Sequence, residues 1–447
     1  MNERDSEIMA GLLEEMGYVA ASRPEEADVV IFNTCAIRER AEESVFGEIG
    51  RLKAVKEERP HMTIGLAGCM AQEPVTIERI RRHAPHVNFV FGTHNIHELP
   101  DILARVRDTD QLVVDVWKSG GDPELLEHLP SRRASGVKAW VNIIYGCDKY
   151  CTYCIVPYTR GRERSRRPEA ILREVRQLAY QGYKEVTLLG QNVNAYGHDL
   201  PEKTDLADLL AAIQKVEGIR WIRYLTSHPW QFTDKLIDTV AENDKVCEHF
   251  HLPVQSGNNR ILRKMNRHYT REYYLELVEK IRRRVPGASI TTDIIVGFPG
   301  ETEEEFQDTL RLVEEVQFDN AFTFIYSPRP GTPAALWLKK DPTPLEEKKE
   351  RLQRLNELQY SIQRRNNQRL VGDEVEVLVE GPSKKDAQVY SARTRTHRLV
   401  LLPARPGMEG RFARVRITEA QTFYFKGEWL DQPAAAGRPA LSLAHEG

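Results

Sequence analysis

Val141-Asn142-Ile143-Ile144-Tyr145-Gly146-Cys147-Asp148-Lys149-Tyr150-Cys151-Thr152-Tyr153-Cys154 carries a short apolar, strand-like run into three cysteines spaced C-x3-C-x2-C. Half of the chain's six cysteines sit in this stretch. Thiolates are soft ligands that suit zinc, copper(I) or an iron–sulfur cluster, but a closed zinc or ferredoxin site takes four of them. No fourth cysteine lies nearby, and nothing in the spacing of His198 or Cys247 ties either to the loop. Three ligands on a four-iron cluster leave one iron open to chelate a small molecule and pass it an electron, which is the logic of an enzyme. A redox-labile or zinc-binding loop is the alternative at this point.

Reading outward, apolar runs at residues 141–144, 186–189, 221–225, 249–252, 290–296 and 322–326 alternate with helical stretches. Six strand–helix units in series predict a parallel barrel, complete or open, with its chemistry at the carboxyl ends of the strands. The polar residues just after those strands are candidates for holding a cofactor or substrate: Gly190, Gln191, Asn192, Ser227, Gln255 and Gly297. Each alone also reads as an ordinary turn or cap.

Upstream, residues 3–17 place Ile8, Met9, Leu12, Leu13 and Met16 on one helical face. Strands at 29–32, 63–67, 87–91 and 112–117, with helices at 38–58, 74–83 and 97–106, give a parallel α/β domain over residues 1–118. Cys35 and Cys69 follow two of these strands, so both thiols are expected on one side of the sheet. Two buried free cysteines are the plain alternative. Residues 119–136 read as a linker, and the barrel domain as 137–366.

Downstream of the cysteines, Tyr158-Thr159-Arg160-Gly161-Arg162-Glu163-Arg164-Ser165-Arg166-Arg167-Pro168 concentrates five arginines, a composition suited to phosphates. A charged helix over 346–365 leads to alternating strands at 375–380, 388–393, 399–402 and 414–417, a small all-β barrel spanning 367–431. Between Arg364 and Arg416 twelve Lys and Arg face six acids, a local charge of +6 in a chain whose net charge is −3. Basic small barrels bind nucleic acid, with Arg393 and Arg395 as candidate contacts. Residues 432–447, rich in Ala and Pro, read as a disordered tail. No run approaches a membrane span, and the cysteine pattern favours a reducing cytoplasm over a disulfide framework.

Cys147, Cys151 and Cys154, with Tyr153 before the last, resemble the signature of radical S-adenosylmethionine (SAM) enzymes. Asn33-Thr34-Cys35 and Ala67-Gly68-Cys69-Met70 resemble the N-terminal domain of the methylthiotransferases within that group, and the C-terminal barrel resembles a TRAM domain. The resemblance covers nearly the whole chain and is most specific from Tyr145 to Arg167 and from Thr292 to Thr302. It implies a partial (β/α)6 barrel and two [4Fe-4S] clusters, one on Cys147, Cys151 and Cys154, the other reached by Cys35 and Cys69. SAM would lie with its aminoacyl end at Gly190, Gln191 and Asn192 and its adenine near the turn that opens at Gly297. The implied reaction adds a methylthio group at C2 of an isopentenylated adenosine beside the anticodon of tRNA. A monomer served by an electron donor such as flavodoxin or ferredoxin is expected. The opening Met1-Asn2-Glu3-Arg4-Asp5-Ser6-Glu7 resembles the stretch just after the family's first cysteine, which implies a start lacking one strand and the third ligand of the second cluster. A methylthiotransferase acting on threonylcarbamoyl-adenosine or a ribosomal-protein aspartate, or a non-catalytic iron–sulfur RNA-binding protein, are the alternatives.

Overall fold

Val29-Val30-Ile31-Phe32 and Ile64-Gly65-Leu66-Ala67 are apolar runs between polar turns, and each forms a parallel strand, the first half-buried and the second buried. In the computed structural model they belong to β1 (Val29–Thr34) and β2 (Thr63–Gly68), paired over six residues from Val29 with Thr63 to Thr34 with Gly68. The described residues are 1–34, 39–109, 111–120, 126–133, 135–341 and 343–430. Cys35 and the tail from residue 432 lie outside them. β3 (Phe89–Phe91) and β4 (Val113–Asp115) complete a sheet of order β1-β2-β3-β4. Helices α1 (Asn2–Glu15), α2 (Glu39–Glu58), α3 (Pro74–His83) and α4 (Leu99–Arg107) accompany it. Ile8, Met9 and Leu12 of α1 bury their apolar stripe against Phe89, Phe91 and α4.

The next element, β5 (Lys138–Asn142), pairs in parallel with β8 (Glu185–Leu189), and β8 with β9 (Trp221–Tyr224). A second parallel group joins β10 (His249–His251), β11 (Ser289–Val296) and β12 (Asn320–Ile325). A bridge between Ile222 and Val246 links the two groups, so six strands follow one another in chain order. Among the described residues no ladder joins β12 to β5, and the barrel is open there. The run expected as one strand over 141–144 breaks at Ile143. Ile144 and Tyr145 form β6, which turns to pair antiparallel with β7 (Arg164–Ser165).

Between these strands lie α5 (Val156–Thr159), α6 (Pro168–Tyr180), α7 (Leu206–Gln214), α8 (Asp234–Glu242), α9 (Asn259–Lys264), α10 (Arg271–Arg284) and α11 (Glu303–Val316), and α12 (Pro333–Trp337) follows the last strand. Their starts are written locally: Asp205 and Thr302 close capping boxes, and Thr233 and Thr270 cap α8 and α10. Alternation along the strands sorts the side chains. Val186, Leu188, Ile222, Tyr224, Phe250 and Ile290 are buried in one large apolar core. The other parity carries Glu185, Thr187, Arg223, His249, His251, Thr291 and Asp293. There Arg223 donates to Glu185 at 2.8 Å, and the rings of His249 and His251 both reach the Thr291 hydroxyl, at 3.1 and 2.9 Å. The barrel thus has an apolar jacket and a polar interior.

The chain divides into two compact units at Ile362 and Gln363, within α13 (Leu345–Gln368). The second unit is a closed barrel of order β13-β14-β15-β17-β16. Its strands are β13 (Glu374–Pro382), β14 (Val389–Thr394), β15 (Leu399–Pro403), β16 (Phe412–Ala420) and β17 (Phe425–Trp429). Val377, Val379, Ala392, Val400, Val415 and Phe425 fill it. Sequence reading found four of these strands and missed β17, whose five residues Phe425-Lys426-Gly427-Glu428-Trp429 include a glycine and two charges. Among the described residues no helix is long and apolar enough to cross a membrane.

Candidate active site

The three-cysteine loop leaves β6 at Gly146, whose φ of 77° and whose missing Cβ, which would stand 2.0 Å from the Arg162 carbonyl oxygen, admit glycine alone. Both flanks of the loop are held. On one side Cys147 N–H donates to the Gly161 carbonyl at 3.1 Å and Gly146 N–H to Gln191 Oε1 at 2.7 Å. On the other, Thr152 N–H donates to the Met265 carbonyl at 3.1 Å and its hydroxyl to Lys264 at 2.9 Å, while Ala334 N–H donates to the Thr152 carbonyl at 3.0 Å. Cys151 is buried and Cys147 and Cys154 are half-buried. Burial pushes the Cys147 thiol up to about 12 and Cys154 higher still, with the mutual repulsion of the three sulfurs adding to it. Thiols so placed ionise when a metal supplies positive charge. Among the described residues no group of three or more His, Cys, Asp or Glu is gathered to hold a single ion. A mononuclear tetrahedral site would draw its sulfurs to about 3.8 Å apart. Three electrostatically coupled thiols on one pinned loop, with no fourth ligand beside them among the described residues, fit three corners of a larger cluster.

Around this loop the candidate polar residues stand at strand ends. Gly190 follows β8 and allows close packing: a Cβ there would come 2.4 Å from Ile144 Cγ2. Gln191 spends its carbonyl oxygen on the loop, as described. Asn192 is buried; its amide donates to Gln231 at 3.0 Å and its oxygen accepts from His228 N–H at 3.1 Å. Ser227 is buried and, among the described residues, Oγ has no hydrogen-bond partner. Gln255 bridges to β11 and holds a φ of 71°. Gly297 N–H donates to Glu301 Oε2 at 2.7 Å. Burial lifts the Glu301 carboxyl to about 7, outweighing that amide and the Arg351 guanidinium 3.7 Å away. Tyr153 packs with Phe298 and Tyr326, and burial raises its phenol.

Sequence reading missed Arg267. It is buried beside the loop, with Nη1 3.5 Å from Cys151 Sγ, Nε donating to the Tyr269 hydroxyl at 2.9 Å and Nη2 to the Pro253 carbonyl. Burial works against its charge, but Tyr269, Tyr153 and Cys151 outweigh it and raise the pKa, so a fixed cation faces the thiols. No motif marks it; it follows Asn266, whose φ of 59° ends the turn after α9. His228, treated in the sequence as part of a loop, is buried and held neutral, first by burial and then by the nearby cations.

The arginine run needs correction. Arg160 and Arg166 are buried and engaged within the protein rather than open to phosphate. Arg160 donates to Asp5 Oδ2 at 2.8 Å, Asn2 Oδ1 at 2.7 Å and, through Nε, to Cys69 Sγ at 3.2 Å. It therefore ties the N-terminal sheet domain to the barrel, and places Cys69, which also packs on Ile155, next to the cluster loop. Arg166 pairs with Glu174 at 2.7 Å and Glu127 at 3.2 Å. Arg164 is half-buried over the Tyr145 ring. Of the run's five arginines only Arg162 and Arg167 are exposed, Arg162 to 82% at its side chain. In the second unit Arg393 is half-buried, 3.5 Å from Glu380, and Arg395 is half-buried on β14's following turn.

Three family models match the chain: an uncharacterized family, UPF0004, at residues 1–92, the Radical SAM superfamily at 141–313 and the TRAM domain at 368–430. The tRNA-2-methylthio-N(6)-dimethylallyladenosine synthase of Moorella thermoacetica is 54% identical over 431 residues, 96% of this chain and 96% of that protein. The chain belongs to this synthase family. A second member, from Anoxybacillus flavithermus, is 53% identical over 433 residues, 97% of this chain and 81% of its own length. Among solved structures, the radical S-adenosylmethionine methyltransferase TsrM of Kitasatospora setae aligns with a TM-score of 0.54 at 16% identity, over 74% of this chain and 73% of that one, a likeness of fold. Membership in the synthase family implies a [4Fe-4S] cluster and SAM, and the three-thiol loop is the feature of this structure that fits them.

Proposed function

We propose that this protein adds a methylthio group to C2 of N6-dimethylallyladenosine beside the anticodon of tRNA. The observation that carries the reading is identity above half, over 96% of both chains, to a synthase named for that product, in a chain whose barrel presents three pinned thiols at its reactive face. When bound, an iron–sulfur cluster with SAM would supply radical chemistry for hydrogen abstraction, and a second cluster and a second SAM would supply the sulfur and the methyl group.

The chain's own residues do the holding. Cys147, Cys151 and Cys154 are the cluster ligands, and Arg267 balances their charge. Gly190, Gln191 and Asn192 line the place of SAM's aminoacyl end, Ser227 offers a free hydroxyl to a polar ligand, Gln255 shapes the floor, and the Gly297 turn with Tyr153 bounds the adenine side. Cys35 and Cys69 serve the second cluster, with Arg160 fixing Cys69 against the barrel. Arg162 and the basic second unit, with Arg393 and Arg395, meet RNA phosphate. Residues 1–118, 137–366 and 367–431 act as sulfur-handling, radical and RNA-binding domains, in a monomer reduced by a flavodoxin or ferredoxin. Reconstituted protein given SAM, reductant, sulfide and dimethylallylated tRNA should yield the methylthio nucleoside. Methylthiolation of another nucleoside in the same tRNA, with dimethylallyladenosine untouched, would remove the substrate assignment.

A further inference from the structure

Large rings left in water call for a reason when they cluster beside a reactive site. Tyr150 and Tyr158 are 44% and 50% exposed, and both flank the thiols: Tyr150 stands between Cys147 and Cys151, and Tyr158 follows Cys154 on α5. Their rings meet edge to face, with centroids 6.1 Å apart. Tyr150 also has a φ of 47°, a region costly for a bulky residue unless its surroundings impose it. The surroundings here do impose it: the Asn266 side-chain amide donates to the carbonyls of Lys149 at 3.2 Å and Tyr150 at 3.1 Å. The loop is thus pinned in a strained turn that sends a ring outward. Beside it, Arg162 follows the carbonyl that binds Cys147 N–H, and its exposed guanidinium meets Asp148 only at 3.5 Å.

An enzyme that works on a base within an RNA loop must take that base from its stack, and the bases on either side then lose a neighbour. Aromatic faces and a guanidinium are what replace stacking and meet phosphate in single-stranded RNA. We propose that Tyr150 and Tyr158 form a stacking platform for anticodon-loop bases next to the target adenosine, with Arg162 on the adjoining phosphate. This deepens the tRNA reading above and rests on it.

The test uses full-length, reconstituted protein and a synthetic anticodon stem-loop carrying dimethylallyladenosine, with the same stem closed by a short loop lacking that sequence as comparison. Tyr150→Ala and Tyr158→Ala should each weaken stem-loop binding roughly five- to hundred-fold, while Tyr150→Phe and Tyr158→Phe stay within about two-fold. Binding of the closed stem should not change. Arg162→Ala should lower the slope of log affinity against log salt by about 0.7 to 0.9. Iron measured on the same samples shows whether the loop still holds its cluster; should Tyr150→Ala lose iron, Tyr158→Ala and the Phe variants decide. If the wild-type protein binds the stem-loop no better than the closed stem, the tRNA reading itself fails. If it does bind better and both alanine variants match it, the platform is wrong. Unchanged RNA binding with slower reduction by a ferredoxin-type donor would assign the rings to the reductant and overturn the proposal.

Discussion

Replacing Arg160 with alanine tests the structure's largest departure from the sequence reading. Arg160 and Asp5 are 6% and 5% exposed at their side chains and pair at 2.8 Å, so the substitution strands a buried carboxylate. Stranding one member of such a pair costs about 3–5 kcal/mol. The cost falls on the docking of α1 against the barrel, because Asp5 and Asn2 are both on that helix. Since the chain has several domains, a single unfolding free energy is ill defined, and local amide exchange is the better assay. Backbone amides of α1 should exchange roughly a hundred- to several-thousand-fold faster. Adding Asp5→Asn should recover most of the loss, since no charge is then left buried. The salt slope of tRNA binding should not move. Unchanged exchange in α1 together with a slope lowered by about one unit would mean that Arg160 touches phosphate after all.

Cys147→Ala, Cys151→Ala or Cys154→Ala should each lose the iron of the barrel cluster and abolish 5′-deoxyadenosine release, whereas Cys247→Ala, at a fully buried thiol remote from the loop in sequence, should do neither; iron assay and chromatography of the nucleoside products check this. Truncation after Ile362, which removes the basic barrel, should weaken tRNA affinity and flatten its salt dependence, read by binding titrations at several salt concentrations. Glu301 carries its proton to about pH 7 in the folded protein and to about 4.5 unfolded, so the native state binds more protons between those values. Stability from this group is therefore lost as pH rises through that window, by about 3 kcal/mol, and Glu301→Gln should remove that part of the pH dependence of local amide exchange in the barrel core compared with wild type.

Much of this architecture could be read from period and punctuation. The helix expected over 74–83 is α3 to the residue, and all six barrel strands fall within a few residues of the apolar runs that announced them. Those segments are legible because β-branched runs end at Gly, Pro, Asn or Ser, which local chemistry forces into turns. The arginine run misled because composition reports charge but not its partner: Asp5 lies 155 residues from Arg160 and Glu127 lies 39 residues from Arg166. Arg267 stayed invisible for the same reason, as its neighbours Cys151 and Pro253 are brought together only by the barrel. β17 escaped because closing a small barrel needs only a short strand, and the partner ladders on β15 and β16 stabilise it where its own composition does not.

The central claim is best tested by one mass-spectrometric analysis of tRNA nucleosides after incubation of the reconstituted protein with SAM, reductant, sulfide and tRNA bearing dimethylallyladenosine. The account predicts conversion of that nucleoside to its 2-methylthio form, with 5′-deoxyadenosine released alongside it and both products lost in Cys151→Ala. Methylthiolation of a different nucleoside with dimethylallyladenosine untouched, or methylthio product formed undiminished by Cys151→Ala, would contradict it.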